Sequence, residues 1–568
     1  MFCLSFSGCG GAEKPPEQSS TTTPDTTETP AVTTTPTATD PPSETEVSSV
    51  QLGNFEIVSS LKNSFEYEYS EFNLGGRSYT TPNGREMPYD IRGTIAVPEG
   101  DGPFPLVLIA HGAHEEEDET KRFDTGFDYL VRALAQNGYV AVSLDMLKPY
   151  IQRYGGNDDY VEKMLVIADD HIQGLHAANG GEALYPVGLT GKIDFENVAL
   201  LGHSRSGSAV FQIAKEHTAN GIGIGAVLSL APSADFWVEF GDMPIAFLVP
   251  QYDGDVIQLD GIYMFDFLAG RVAGEHSVTL LMGANHNFFN RNIERDDSAA
   301  RGMQNAYPPL TRAEQEDFLV NFAVDFFDAS LGGADNFFHT SKPQPNKMYG
   351  YDVNRQLRLG EPVDLIDAMS TNGFSSDTSA VTSVVDSVFF NEDGVLINTV
   401  TTSILDTILD GTRDKNAETL NYVSVPRSLI SVEWTQPDSA VTILPNTSDF
   451  SGKNTLTIQI IPDSASELNN PEQALNFTIA LRDADGNTAM VKTAEEQNAL
   501  RCYPGELRSL DLTDDFKIEY WEPATPLGML SIPLSLFEAV NLSSIEAIDL
   551  VFDHGESGAV YIASIQLQ

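Results

Sequence analysis

The chain has 568 residues, 41% of them hydrophobic, which is enough for packed cores and for more than one domain. It carries 82 Asp plus Glu against 32 Lys plus Arg, a formal charge of −50. That balance argues against nucleic acid and anionic membrane surfaces as partners, because both attract basic proteins, and it suits a soluble extracellular protein. Three cysteines, Cys3, Cys9 and Cys502, are too few for a disulfide framework.

The N-terminal run Leu4-Ser5-Phe6-Ser7-Gly8-Cys9-Gly10-Gly11 resembles the lipobox of bacterial lipoproteins, where the cysteine is acylated. The apolar stretch before it is too short for a signal peptide. From Ser19 to Ser49 the chain is rich in Thr, Pro, Ser and acidic residues. Such a segment has too few apolar side chains to bury a core and stays extended. Residues 1–50 therefore read as a tether, with Cys9 as a lipid anchor at a bacterial cell surface and the bulk of the chain extracellular. No run of eighteen apolar residues occurs, so no transmembrane helix is expected.

Residues 51–340 alternate strand-like and amphipathic segments, the pattern of βαβ units around a parallel sheet. Leu106–Ala110 reads as a buried strand, and His111-Gly112-Ala113-His114 follows it as a loop. Helix-like spacing covers Phe127 to Ala135, with Gly138 after it, and again Asp158 to Ala178. Val198–Leu201 runs into Gly202-His203-Ser204-Arg205-Ser206-Gly207, the shape of a nucleophile elbow. The usual pattern is G-x-S-x-G; here Ser206 stands at the last position, one residue before a glycine.

Serine is a poor nucleophile without a base, and the base needs an orienting acid. The strand-like Pro244–Val249 breaks into Pro250-Gln251-Tyr252-Asp253-Gly254-Asp255, so Asp253 and Asp255 are both candidate acids. Asp253 is preferred because it precedes the glycine that turns the loop away. Ser277–Met282 reads as a strand, and Gly283-Ala284-Asn285-His286 follows, which makes His286 the candidate base. His276 stands before that strand, at the wrong end. An oxyanion needs two backbone N–H donors. The residue after the nucleophile, Arg205, supplies one, and Ala113 supplies the other. His111 and His114 lack a third ligand at metal spacing, so neither a metal nor another cofactor is expected. Thr311-Arg312-Ala313-Glu314 is a capping box opening a helix with Phe318, Leu319, Phe322, Phe326 and Phe327 on its core side.

The span from Arg92 to Gly333 resembles secreted bacterial α/β-hydrolases of the cutinase and polyester-hydrolase type. The matching stretches are Gly93–Pro98, Pro105–Gly112, Gly138–Val142, Gly202-His203-Ser204, Pro244–Asp253, and Gly283–His286 with Asn290. The resemblance implies an α/β-hydrolase fold, a mostly parallel sheet with flanking helices. It places the triad acid at Asp253 and a pocket aromatic near Phe236 or Trp237, of which Trp237 is taken as substrate-binding. The span differs from that family in having no cysteine and a long insertion between Asp145 and Asn197.

Residues 341–568 are short β-prone runs between turn clusters, such as Thr455–Ile460, Leu475–Ala480 and Val560–Ile565. They read as an antiparallel β-sandwich and resemble jelly-roll modules of the carbohydrate-binding, galactose-binding-like type. Trp434, Tyr520 and Trp521 are candidate platform residues. Asp483-Ala484-Asp485-Gly486-Asn487 has the look of half a calcium loop but reads better as a hairpin turn. Two functions fit the whole. One is a tethered serine ester hydrolase acting on an ester, an insoluble polymer or a polysaccharide. The other is a catalytically idle binding protein with a polymer-docking module.

Overall fold

A computed structural model describes residues 49–568 except 115–117, 156–159, 235–240, 257–258, 269–271, 299–306, 335–337, 339–342, 368–369, 377–379, 391–395, 398–426, 465, 471–472, 503–505, 514–515 and 523–526. The largest sheet has eleven strands. In chain order they are β1 (Glu56–Ile57), β2 (Tyr67–Thr80), β3 (Glu86–Pro98), β4 (Phe104–Ala110), β5 (Val140–Leu144) and β6 (Ile193–His203). Then come β7 (Ile224–Leu230), β8 (Ile245–Pro250), β9 (His276–Leu281), β10 (Lys347–Met348) and β11 (Tyr351–Arg358). Across the sheet the order is β1-β10-β11-β9-β8-β7-β6-β4-β5-β3-β2.

From β9 to β5 each neighbour is parallel to the next. These central strands are continuous apolar runs, as expected of strands buried on both faces. Alternate residues enter two cores. Leu106, Leu108, Val198, Leu200, Phe247 and Val249 face one, and Val107, Ile109, Ala199, Leu201, Ala246 and Leu248 face the other. Five α-helices occur among the described residues: α1 (Asp128–Gln136), α2 (Tyr160–Asn179), α3 (Arg205–Ala219), α4 (Asp260–Leu268) and α5 (Arg312–Ser330). Val210 and Phe211 of α3 join the first core, and Phe318 and Phe322 of α5 the second. The expected capping box opens α5: Thr311 Oγ1 accepts from Glu314 N, and Glu314 Oε2 accepts from Thr311 N at 2.7 Å.

This architecture corrects the expected fold class, an α/β-hydrolase fold with a mostly parallel, helix-flanked sheet and a separate antiparallel sandwich. Among the described residues strands outweigh the five helices, the eleven-stranded sheet is mixed, and two further sheets have six and nine strands. The reason lies at the sheet's edges. β2 and β3 form a long antiparallel hairpin at one side, and β3 meets β5 antiparallel. At the other side β11 returns antiparallel to β9, pairing His276 with Arg358 and Leu281 with Val353, and brings β10 and β1 with it. β11 lies beyond residue 340, yet it belongs to the sheet built by the preceding residues.

The six- and nine-stranded sheets enclose a third core, with Val441, Ile479 and Ile548 from one and Ile430, Ile458 and Ile562 from the other. The six-stranded sheet also takes Val50–Gln51, parallel to Thr488–Lys492. Trp434 is buried there and stacks on Phe552 at 3.9 Å, so it serves packing. The side chains of Tyr520 and Trp521 lie outside the described residues. Asp483 is a turn residue: its Oδ1 accepts from Asp485 N and Asn487 N, and its Oδ2 accepts from Asn541 N. No helix among the described residues is long and apolar enough to cross a membrane.

The position of β11 has a direct consequence. A chain ended at residue 342 would leave the backbone edge of β9 unpaired, and an open apolar edge invites association. Such a chain should aggregate on size-exclusion chromatography. A monomer with the full chain's melting temperature would show that β11 is dispensable.

Candidate active site

Parallel strands all end on the same side of a sheet, and that side is where open parallel sheets bind ligands. Here Ala110 of β4, His203 of β6, Pro250 of β8 and Leu281 of β9 bring four loops together. Ser204 follows β6 directly and precedes α3. Its backbone is left-handed, with φ 59° and ψ −129°. A non-glycine residue held in such a sparsely populated region costs on the order of 1–3 kcal/mol, and the surroundings must enforce it. Three hydrogen bonds do so. Ser204 N donates to Leu230 O at 3.0 Å, and Ser204 O accepts from Gly207 N at 2.7 Å and Ser233 N at 3.2 Å. A Cβ on Gly202 would strike the Ser206 backbone, and one on Gly207 would lie 2.9 Å from Pro232 Cα. These contacts explain why both positions are glycine.

Ser206 replaces the usual small residue for a reason the motif does not reveal. Its hydroxyl is buried, donates to His111 O and lies 2.8 Å from the Tyr150 hydroxyl. It ties the elbow to the loop after β4.

Asp253 and His286 meet behind the elbow. His286 Nδ1 donates to Asp253 Oδ2 at 2.9 Å, and both residues are buried. Asp253 Oδ1 also accepts from Asp255 N at 3.0 Å and Val256 N at 2.6 Å, which fixes the carboxylate. Asp255 is largely exposed, and its carboxylate lies 3.6 Å from His286 Nε2. The structure thus separates the two candidate acids, with Asp253 on Nδ1 and Asp255 near Nε2. Nε2 has no hydrogen-bond partner among the described residues. His203, beside Ser204 in sequence, packs against His286 with ring centroids 4.7 Å apart and donates from Nε2 to His286 O at 3.1 Å.

The loop after β4 lies against the elbow. A Cβ on Gly112 would collide with the Ser204 side chain and approach His203 O at 2.9 Å. His111 Nδ1 donates to Gly112 O at 2.8 Å, and its Nε2 accepts from Met146 N at 2.9 Å. A peptide is planar, so fixing the Gly112 carbonyl also fixes the Ala113 N–H on its opposite side. Arg205 is the first residue of α3, where N–H groups lack intrahelical partners and the helix dipole favours an anion. Both nitrogens of His111 are engaged. No group of three His, Cys, Asp or Glu side chains among the described residues could hold a metal.

Electrostatics divides the buried imidazoles. Burial, followed by the neighbouring His203 and His286, holds His114 well below its usual value. Burial and then His286 do the same to His203. Burial opposes charge on His286 too, but the Asp253 carboxylate, aided by Asp255 and Asp297, pushes it up to about 9. Asp145, buried beside His111, is lowered to about 2: burial works against its charge, and His111 and the Arg92 guanidinium overcome it.

Asp297, which closes the site from behind, has no local motif to mark it. Its Oδ2 accepts from Gly254 N at 2.7 Å and His286 N at 3.2 Å, and its Oδ1 from Asn287 N at 3.1 Å. Within Arg295-Asp296-Asp297-Ser298 it looks like a solvated turn, yet it is buried. Phe236 and Trp237, the expected pocket aromatics, lie outside the described residues. No family model matches the chain, and no curated protein matches it.

This geometry sets the pH dependence and the effect of three substitutions. A base must be unprotonated to act, so kcat/KM for any reaction based on His286 should climb with pH through about 9. The same raised value stabilises the fold fully below the free imidazole range and is lost as pH rises through about 9. Asp255→Asn should move the climb to lower pH, because Asp255 helps hold the proton. Asp253→Asn should instead lower the rate by about 10⁴-fold, since only the acid on Nδ1 fixes the tautomer. A pH–rate profile of both variants separates the roles, and the reverse order would transfer the acid to Asp255. Ser206→Ala should cost about 1–3 kcal/mol in chemical denaturation, because it takes the buried hydroxyl donor away from His111 O.

Proposed function

We propose that the chain is a serine carboxylic-ester hydrolase that works through an acyl-enzyme. The observation that carries this reading is the buried 2.9 Å contact between Asp253 and His286 at the strand ends that also present Ser204. Ser204 Oγ attacks the ester carbonyl carbon as His286 Nε2 takes its proton, and Asp253 stabilises the resulting imidazolium. The Ala113 and Arg205 N–H groups face the oxyanion. Collapse of the tetrahedral intermediate breaks the bond to the alcohol, which leaves with the proton from His286. Water then attacks the acyl-enzyme by the same route in reverse roles, releasing the acid and Ser204.

The substrate class in this reading is an extracellular ester, including esters of insoluble polymers and polysaccharides. The C-terminal β-rich half would dock the enzyme on such a polymer and raise its local concentration there. Cys9 and the Thr/Pro/Ser-rich segment would tether it to a cell surface, the only membrane contact in this reading. The high acidity agrees with a substrate that is not nucleic acid.

A fluorophosphonate probe tests the reaction. It should label Ser204 covalently, and Ser204→Ala should abolish both labelling and p-nitrophenyl ester hydrolysis, save the weak rate an oxyanion site retains. An unlabelled protein would favour an idle binding protein, and a Ser204→Ala variant keeping more than about a tenth of the rate would show that Ser204 is not the nucleophile.

A further inference from the structure

The loop that carries Asp253 is anchored at two ends by one residue, Tyr252. Its backbone N donates to Ala284 O at 2.7 Å, two residues before His286, so it sets the spacing between the acid loop and the base loop. Its phenol reaches the other way and donates to Tyr307 O at 2.8 Å, while the phenol oxygen accepts from Tyr307 N at 3.3 Å. The Tyr307 hydroxyl in turn donates to Asn498 Oδ1 at 3.0 Å. Asn498 stands in the C-terminal half, between the strands Thr488–Lys492 and Glu506–Thr513. It is itself locked: Nδ2 donates to Asn346 O at 2.9 Å and to Val353 O at 2.8 Å, and its backbone N donates to Asn346 Oδ1 at 3.1 Å. Val353 belongs to β11, which pairs with β9, the strand leading to His286. Tyr252, Tyr307 and Asn498 are all buried.

We propose that Tyr307 and Asn498 are positioning residues that act through Tyr252 to hold Asp253 against His286 Nδ1, so that the C-terminal half completes the catalytic site from behind. The inference rests on the ester-hydrolase reading for its kinetic consequence but not for its geometry. A hydrogen bond loses strength steeply once its distance and angle relax. If the acid loop slackens, Asp253 holds the imidazolium less firmly, and the proton leaves His286 at lower pH. The other groups facing His286 are Asp255, Asp297, His203 and His114, and the substitutions below touch none of them.

Tyr307→Phe in the full chain removes one oxygen and keeps the ring, and Tyr252→Phe is the second variant. Tyr561→Phe is the control, because it breaks a part-buried 2.9 Å bond to Asp463 within the C-terminal half. Three readouts apply: p-nitrophenyl ester kinetics, the pH dependence of fluorophosphonate labelling, and the Nδ1–H proton resonance of His286 by one-dimensional NMR. Tyr307→Phe and Tyr252→Phe should each lower kcat by about tenfold with little change in KM, less than the ~10²-fold of a 1 Å misplacement. Both should move the labelling limb to lower pH and shift the Nδ1–H resonance upfield, while Tyr561→Phe leaves all three unchanged. Wild-type limb, kcat and resonance in both variants would overturn the proposal. A wild-type chain that is never labelled would sink the hydrolase reading alone, and the resonance would still decide the positioning.

Discussion

The contact between Asp253 and His286 is the constraint around which the central loops are arranged. Burying an ion pair costs several kcal/mol per ion unless further hydrogen bonds offset the lost water. Here Asp253 receives two backbone N–H groups from its own loop, and Asp297 receives the N–H groups of Gly254, His286 and Asn287. The two loops are stitched at Gln251 as well, where its N donates to Leu281 O and its Oε1 accepts from Gly283 N. Gln315 of α5 then accepts from Asn285 N and donates to Asn285 O. The imidazole is thus oriented by its nitrogen, its own backbone and both flanking residues.

Local sequence carried much of this site. An apolar run ending in Gly202-His203-Ser204 states where a strand stops and a helix starts, because few residues tolerate that turn. The runs ending at Pro250 and Leu281 likewise mark strand ends, so Asp253 and His286 could be placed by order alone. Asp253 is preferred over Asp255 because it precedes the glycine between them, and the structure puts its carboxylate on His286 Nδ1. What stayed hidden was whatever depends on a distant partner. Asp297 looks solvated until the base loop folds over it. Ser206 looks like a flaw in a motif until His111 and Tyr150 arrive beside it. Tyr307 has no local pattern at all.

The fold class failed for a related reason. Alternating apolar and amphipathic segments do identify the parallel centre of the large sheet, but they are silent about its edges. Tyr351–Arg358 contains Arg355, Gln356 and Arg358, an unlikely composition for a buried strand, yet all three are buried. Their polarity is absorbed at the junction with the C-terminal half, where Gln356 donates to Leu527 O and accepts from Gln459 Nε2. Arg358 Nη2 likewise reaches Asp266 and Gln459 at 3.3 Å. A junction made of amides and guanidiniums reads in sequence as surface.

The same edge pairings bear on how the chain is made. Ile57 pairs with Met348, and Val50 with Val491, so segments near the start of the described chain wait for partners hundreds of residues later. Closing such long loops costs entropy before any contact repays it, and folds rich in distant pairings form slowly. During synthesis from the N-terminus, the central strands can assemble well before β11 emerges to cover β9. The edge of β9 is therefore exposed to other chains for the time it takes to add Tyr351–Arg358, and protection from neighbours in that interval is a requirement of this topology.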